Sequence, residues 1–281
     1  MRRKKVLGIL LLCAVWNITL FAQESHTKLE KDSLQYQWDR FSVSVGGFLT
    51  TISSDISIKG EEMGLGLSVN LEEALGLNSS TLVLRGESEY NFGKRRRSHA
   101  RFGYFFLLRN SVKTLENEIK IGDEVYLVGT DVSSKMNMHI IRAMYDYSFF
   151  RDERASLSIS GGLYILPMSY SIGTAHSIDE SDAFVLPLPV IGFRSAFLIT
   201  PRFIIKQNWE LLYVKTTNFQ GDISDFNVWL EYHPLNHLGI GVGINSFRFS
   251  MTATEDWRAR EFDGTFKTRF TGILLYGKYY F

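Results

Sequence analysis

The sequence predicts an all-β protein, an up-and-down antiparallel barrel of about ten strands, with eight or twelve as the alternatives. Three observations carry the prediction. Apolar and polar side chains alternate with a two-residue period in segment after segment. Tight turns alternate with longer polar connections. Aromatics reach 14% of the chain, with 23 Gly and only 5 Pro in 281 residues.

The first 22 residues stand apart. Arg2, Arg3, Lys4 and Lys5 precede an apolar run from Val6 to Phe21, and Ala22 meets polar Gln23 and Glu24. A basic, apolar, then small-residue order is that of a secretory signal peptide, predicted over 1–22. Asn17 and Thr19 interrupt the run, which is short for a retained spanning helix. Cys13 is the only cysteine and lies in this segment behind Leu12, where a lipid-attachment motif needs a small residue. The remainder is therefore expected to contain no disulfide and no thiolate metal site. Of 31 Lys and Arg, four lie in the leader, against 30 Asp and Glu in the rest. That balance offers no global attraction for nucleic acid, and no cofactor is expected.

Residues 23–40 are polar without periodicity and read as an N-terminal tail; the barrel is predicted over 41–281. Phe41, Val43, Val45, Gly47 and Leu49 alternate with a face of mostly small or polar residues. Leu82, Leu84, Gly86, Tyr90 and Phe92 oppose Val83, Arg85, Glu87, Glu89 and Asn91. Ala100, Phe102, Tyr104, Phe106 and Leu108 oppose Arg101, Gly103, Phe105, Leu107 and Arg109. The pattern continues through Ile141–Phe149, Leu157–Ile165, Phe226–Tyr232 and Leu238–Ile244. Short turns are predicted at 93–97, 151–154, 200–201 and 234–237. Longer connections are predicted near 111–135, 173–182, 218–222 and 254–263. Residues 60–78 are ambiguous: Leu71 to Leu77 reads either as a short helical turn in the first outer loop or as part of two further strands. Tight turns on one rim and long loops on the other are the habit of outer-membrane barrels, which puts the short turns on the periplasmic side.

The chain ends Thr271-Gly272-Ile273-Leu274-Leu275-Tyr276-Gly277-Lys278-Tyr279-Tyr280-Phe281. This segment resembles the terminal strand of bacterial outer-membrane barrels, which ends in Phe with apolar residues at alternate positions, here Phe281, Tyr279, Leu275 and Ile273. The resemblance implies a transmembrane β-barrel in a bacterial outer membrane, with lipid around it and recognition of this strand by the barrel-assembly machinery. Stretches at 70–77, 90–111, 145–153 and 186–201 are similar to a group of uncharacterised single-domain outer-membrane barrels, a likeness that carries no catalytic residues.

With the aromatic and aliphatic faces against lipid, Arg85, Glu87, Glu89, Arg101, Arg142, Asp146, Arg194, Lys206, Glu210, Glu231 and Lys278 are expected in the lumen, because a cation at mid-bilayer on the lipid face costs about 2–4 kcal/mol. Six are basic and five acidic, which fits an interior closed by compensating ion pairs. The first functional expectation is therefore a non-enzymatic barrel, structural or surface-interacting, with a lumen mostly filled by side chains. A narrow passive channel for small hydrophilic solutes, lined by some of the same charges, is the second reading. Gly239, Gly241 and Gly243 on one inward face leave space, either a cavity or room for bulky neighbours such as Trp229.

An outer-rim hydrolase is the third. It would draw on His176, Ser177, Asp179, Glu180 and Asp182, which share one predicted outer loop, although proximity in sequence gives no triad geometry. His139, His233 and His237 fall in no catalytic or metal-ligand pattern. Arg95, Arg96 and Arg97 read first as a hydrated turn and second as a contact for anionic headgroups or a periplasmic partner. Tyr145, Tyr147, Phe149, Tyr279 and Phe281 read as an aromatic belt at the periplasmic boundary.

Overall fold

A computed structural model of the chain describes residues 40–58, 67–93, 95–116, 118–121, 124–174, 177–253 and 264–281. The predicted signal peptide and all but the last residue of the predicted tail lie outside the described residues. Period-two segments pair as the alternation requires. The strands are β1 (Phe41–Ile58), β2 (Leu67–Asn70), β3 (Ser80–Phe92), β4 (Ser98–Thr114), β5 (Ile119–Ile121), β6 (Glu124–Tyr126) and β7 (Asp131–Arg151). They continue with β8 (Ala155–Thr174), β9 (Ser177–Thr200), β10 (Phe203–Lys215), β11 (Phe219–Leu235), β12 (Leu238–Ala253) and β13 (Gly264–Tyr280).

Ten of these form the wall, in the order β1, β3, β4, β7, β8, β9, β10, β11, β12, β13, each antiparallel to its neighbours. Pairing of β13 with β1, from Ser42 opposite Tyr280 to Ile58 opposite Gly264, closes the sheet. Closure joins the first and last wall strands, the condition for placing a sheet's backbone in hydrocarbon. The short β2 lies against β1, and β5 and β6 form a separate hairpin in the outer connection between β4 and β7.

The outward face is apolar around the wall. Val45, Leu82, Phe102, Tyr147, Ile159, Ile191, Ile240, Val242 and Leu275 are all exposed there. An exposed apolar surface encircling a closed antiparallel barrel is a lipid-facing band. Toward the tight-turn rim it becomes aromatic: Tyr90 stacks on Phe92 with ring centroids 6.0 Å apart, Phe92 meets Tyr145 at 6.1 Å, and Phe281 lies 5.4 Å from Phe41.

Outer connections are shorter than the sequence predicts. β4 runs on to Thr114 and β7 starts at Asp131, β8 and β9 reach Thr174 and Ser177, and β11 begins at Phe219. β8 and β9 contain 20 and 24 residues, about twice the 9–11 that cross a bilayer. Beyond the membrane the outward face meets water, so the polarity alternation fades while the backbone ladder continues. Those polar ends therefore read as loops. The connection at 254–263 lies outside the described residues.

Two seams in the wall differ. β3 pairs with β4 only from Arg85 to Phe92, and above that level the helix α1 (Leu71–Leu75) and the segment after it lie beside β4. Asn70 caps α1 by accepting from the Glu73 amide, and Gly76 ends it in the left-handed region at φ 65°, the geometry that favours Gly at a helix end. Leu71, Leu75 and Leu77 are buried in the barrel core. The ambiguity over Leu71–Leu77 thus resolves as helix. Arg109 Nε donates to the Asn78 carbonyl at 3.2 Å, while Ser111 Oγ donates to Leu75 and Lys113 Nζ to Glu73. The second seam follows β9, which pairs with β10 only from Ile191 to Thr200. Its outer half, through Pro187 and Pro189, pairs with β8 alone. Pro167 falls where the β7–β8 pairing is interrupted without a change of register, between Met138–Met168 and Ile141–Ile165, as suits a residue with no amide donor.

Candidate functional site: the lumen

Eight of the ten wall strands turn from polar to apolar at a similar level of the inward face. Moving away from the tight-turn rim, the change falls at Arg85 to Val83, Gly103 to Phe105, Arg142 to Ile140, Tyr164 to Leu166 and Glu210 to Leu212. It falls at Asp225 to Ile223, Asn245 to Phe247 and Tyr276 to Leu274 on the next three. Below this level the lumen is charged; above it the lumen is an apolar core.

The structure turns all eleven predicted lumen charges inward and adds to their network Asp225, fully buried on β11. Six cations then face six carboxylates. Arg101 sits at the centre, its Nε 2.5 Å from Asp146 Oδ2 and its Nη2 2.8 Å from both Asp146 Oδ1 and Glu210 Oε1. Arg142 Nη2 lies 2.5 Å from Glu87, and its Nη1 is 3.3 Å from Asp225 and 3.6 Å from Glu210. Tyr164 donates to both Glu210 and Asp225, the latter at 2.7 Å. Asp225 also accepts from Asn227 at 2.8 Å and Asn245 at 2.6 Å.

Closer to the rim, Arg194 grips Glu89 through both terminal nitrogens at 3.0 and 2.9 Å, with Lys278 on the same carboxylate at 3.5 Å. Lys206 lies 3.0 Å from both oxygens of Glu231, which also accepts from Tyr276 at 2.7 Å and from Tyr280. Arg85 reaches Glu87 at 3.5 Å and Asn227 at 3.3 Å, its guanidinium 5.5 Å from the Phe105 ring centre where the tiers meet. Mutual satisfaction is what lets these charges leave water, since breaking one buried partner costs several kcal/mol, about 3–5.

The question over the inward glycines is answered by their neighbours. A Cβ at Gly241 would stand 2.1 Å from the Tyr276 ring, and one at Gly243 2.5 Å from Trp229. Both glycines make room for rings. Small cavities border the charges among the described residues. One of about 20 Å³ borders Glu89, His99, Ser158 and Arg194; another of about 40 Å³ borders Glu87, Trp229, Glu231 and Tyr276. These suit one or a few waters.

Above, Phe247 and Phe270 stack at 4.5 Å, and Phe105 and Phe48 meet Phe270 at 5.9 and 6.2 Å. These four rings, with Ile140, Leu166 and Phe249, are at most 2% exposed. Over this layer sits a small polar cap. Arg109, buried on β4, pairs with Glu72 of α1 and donates to Ser54 Oγ at 3.0 Å, while the Ser54 amide donates to Glu72 at 2.8 Å.

Sequence reasoning missed Asp225 and Arg109 as lumen charges, although both lie on faces it read as inward. Parity with Glu231 and with Arg101 was the available signal. The histidines form no metal cluster: no group of three or more His, Cys, Asp or Glu positioned for a metal occurs among the described residues. His139 faces outward against the Tyr104 hydroxyl at 2.9 Å, and His237 Nδ1 lies 3.0 Å from the Tyr280 carbonyl. His233 is buried 2.8 Å from Glu231.

His99 is more suggestive, because its Nε2 is 2.8 Å from Ser148 Oγ and its Nδ1 contacts Asn91 Oδ1. Nucleophile, base and orienting amide are in order. Ser148 is nevertheless wholly buried, and its hydroxyl is shared with Ser156 at 3.1 Å and Ser158 at 2.9 Å. Ser148 does not line the neighbouring cavity, which reaches His99, Asn91, Ser156 and Ser158 and holds about 20 Å³, room for a water; the trio ties β3, β4, β7 and β8 together. Of the predicted rim cluster, His176 lies outside the described residues, as do the side chains of Ser177, Asp179, Glu180 and Asp182.

No protein-family model matches the sequence. No curated protein gives a significant match. Solved structures do resemble the fold. The outer membrane protease OmpT from Escherichia coli aligns with a TM-score of 0.56 at 8% identity, covering 86% of this chain and 97% of that one. The translocator domain of the autotransporter NalP from Neisseria meningitidis aligns at 0.45 and 8% identity, covering 99% and 97%. The attachment invasion locus protein Ail of Yersinia pestis aligns at 0.34 and 11% identity, covering 85% and 98%. At such identities the OmpT likeness concerns fold, and the chain has the fold of a bacterial outer-membrane β-barrel.

Proposed function

We propose that this chain is a non-enzymatic outer-membrane barrel with a closed lumen, which works as a structural element or through its outer surface and passes no solute. The observation that carries the reading is the switch from charged to apolar on the inward faces of the wall strands. A hydrophilic solute moving along the axis would leave a network of paired charges and meet a layer of buried Phe, Ile and Leu side chains. Dewetted apolar constrictions of this kind block conduction. The Ser148–His99–Asn91 relay supports no hydrolytic role, given its burial.

Conductance across planar bilayers and solute uptake into vesicles, both with folded protein, test the proposal. A folded, silent barrel is expected. Reproducible permeation limited by solute size would replace it with the narrow-channel reading, and turnover of ester or peptide substrates would replace it with the hydrolase.

A further inference from the structure

On the outer wall, Arg248 of β12 stands directly opposite Arg269 of β13, both exposed, and exposed Lys267 lies two residues along β13 on the same face. Like charges placed directly across an antiparallel pair repel. Neither arginine makes a hydrogen bond or ion pair among the described residues. Neighbouring strands offer hydroxyls at the same level: Ser224 of β11 is opposite Arg248, and Ser53 of β1 is opposite Arg269. The flanking carboxylates are one step farther out. Asp55, opposite Lys267, accepts from Asn70 at 3.1 Å, and Asp222 is opposite Ser250.

The height of this cluster defines its environment. Toward the membrane, the same outward rows carry Ser246 and Thr271, whose hydroxyls are 3.2 Å apart, and then Ile244 and Ile273, 59% and 58% exposed. The cations thus stand just above the lipid band, on the side away from the tight turns, where outer-leaflet headgroups meet the wall.

We propose that Arg248, Arg269 and Lys267 form a site for the phosphate of an acylated, phosphorylated glycolipid in the outer leaflet, its acyl chains lying along Ile244, Ile273, Val242 and Leu275. A phosphate between two guanidinium groups relieves their repulsion through charge-assisted hydrogen bonds. The apolar rows beneath favour an amphiphile over a free anion. All three cations face away from the lumen, so the site is independent of whether the lumen conducts.

The test is lipid retention. Protein is folded into phosphatidylcholine vesicles containing either diphosphoryl lipid A or its dephosphorylated form, extracted in mild detergent, and examined by native mass spectrometry. Wild type is expected to retain the diphosphoryl form selectively, and R248Q/R269Q to retain it roughly tenfold less or weaker still. A heat-dependent gel shift establishes that the variant is folded; if the double variant fails it, the single variants R248Q and R269Q are each expected to lower retention. Equal retention by folded variant and wild type overturns the site. Equal retention of the dephosphorylated form overturns the role of phosphate. Competition by inorganic phosphate as effective as that by lipid A overturns the lipid as occupant.

Discussion

The charged half of the lumen is held by directional contacts, each side chain answering particular partners, whereas the apolar half is held by contact area. Arg101 has two carboxylates at set distances and angles; Phe270 has three rings around it and no required orientation toward any of them. The difference is in how each half fails. Removing one member of the charged half strands its partner in a site from which water is excluded. Shrinking one ring of the apolar half leaves a hole that its neighbours partly fill.

The largest effect is expected from breaking a central pair. Arg101→Met leaves Asp146 and Glu210 short of their main cation and should destabilise the barrel by about 3–5 kcal/mol, read as a fall in the urea midpoint of unfolding from vesicles. If the charged half depends on pairing rather than on charge itself, adding Asp146→Leu and Glu210→Leu to Arg101→Met recovers much of that loss. Failure to recover would mean that the network also specifies strand register.

Slightly less is expected above. Phe270→Ala should cost about 3–4 kcal/mol as a cavity, while Phe270→Leu should cost about 1–2 kcal/mol because much of the volume is kept. The two halves should also part in conduction. Phe105→Ala with Phe270→Ala thins the apolar layer and is expected to produce measurable leakage of small ions, whereas neutralising Glu87 leaves the barrel silent. Leakage from Glu87→Gln alone would place the seal among the charges. The smallest effect is predicted for the polar cap. Glu72→Gln weakens its hold on Arg109 and should cost about 1 kcal/mol, detected as faster proteolysis near α1 with little change in the global midpoint.

These halves were unequally legible in the sequence. In the charged half, the contrast between Arg101 and Phe102, or between Glu231 and Tyr232, marks lumen and lipid at a glance. Eleven of the twelve charges of this half follow from that contrast, while the count of about ten strands follows from the alternation of short turns with longer connections. In the apolar half both faces are hydrophobic, as at Phe105 and Phe106, and parity alone separates them. Farther out both faces turn polar, and strand becomes indistinguishable from loop by composition, which is why the outer ends of β8 and β9 read as a connection. Which carboxylate meets which cation depends on contacts across the barrel, such as Arg101 to Glu210 over 109 positions of sequence, and no local pattern encodes those.

The outer half of β9 carries a further consequence. A strand flanked on one side only is a template onto which a second chain can pair its own backbone. Pro187 and Pro189 withhold two amide hydrogens from that template. Restoring those amides by Pro187→Thr with Pro189→Thr should therefore raise self-association of the folded barrel, read by cross-linking in vesicles.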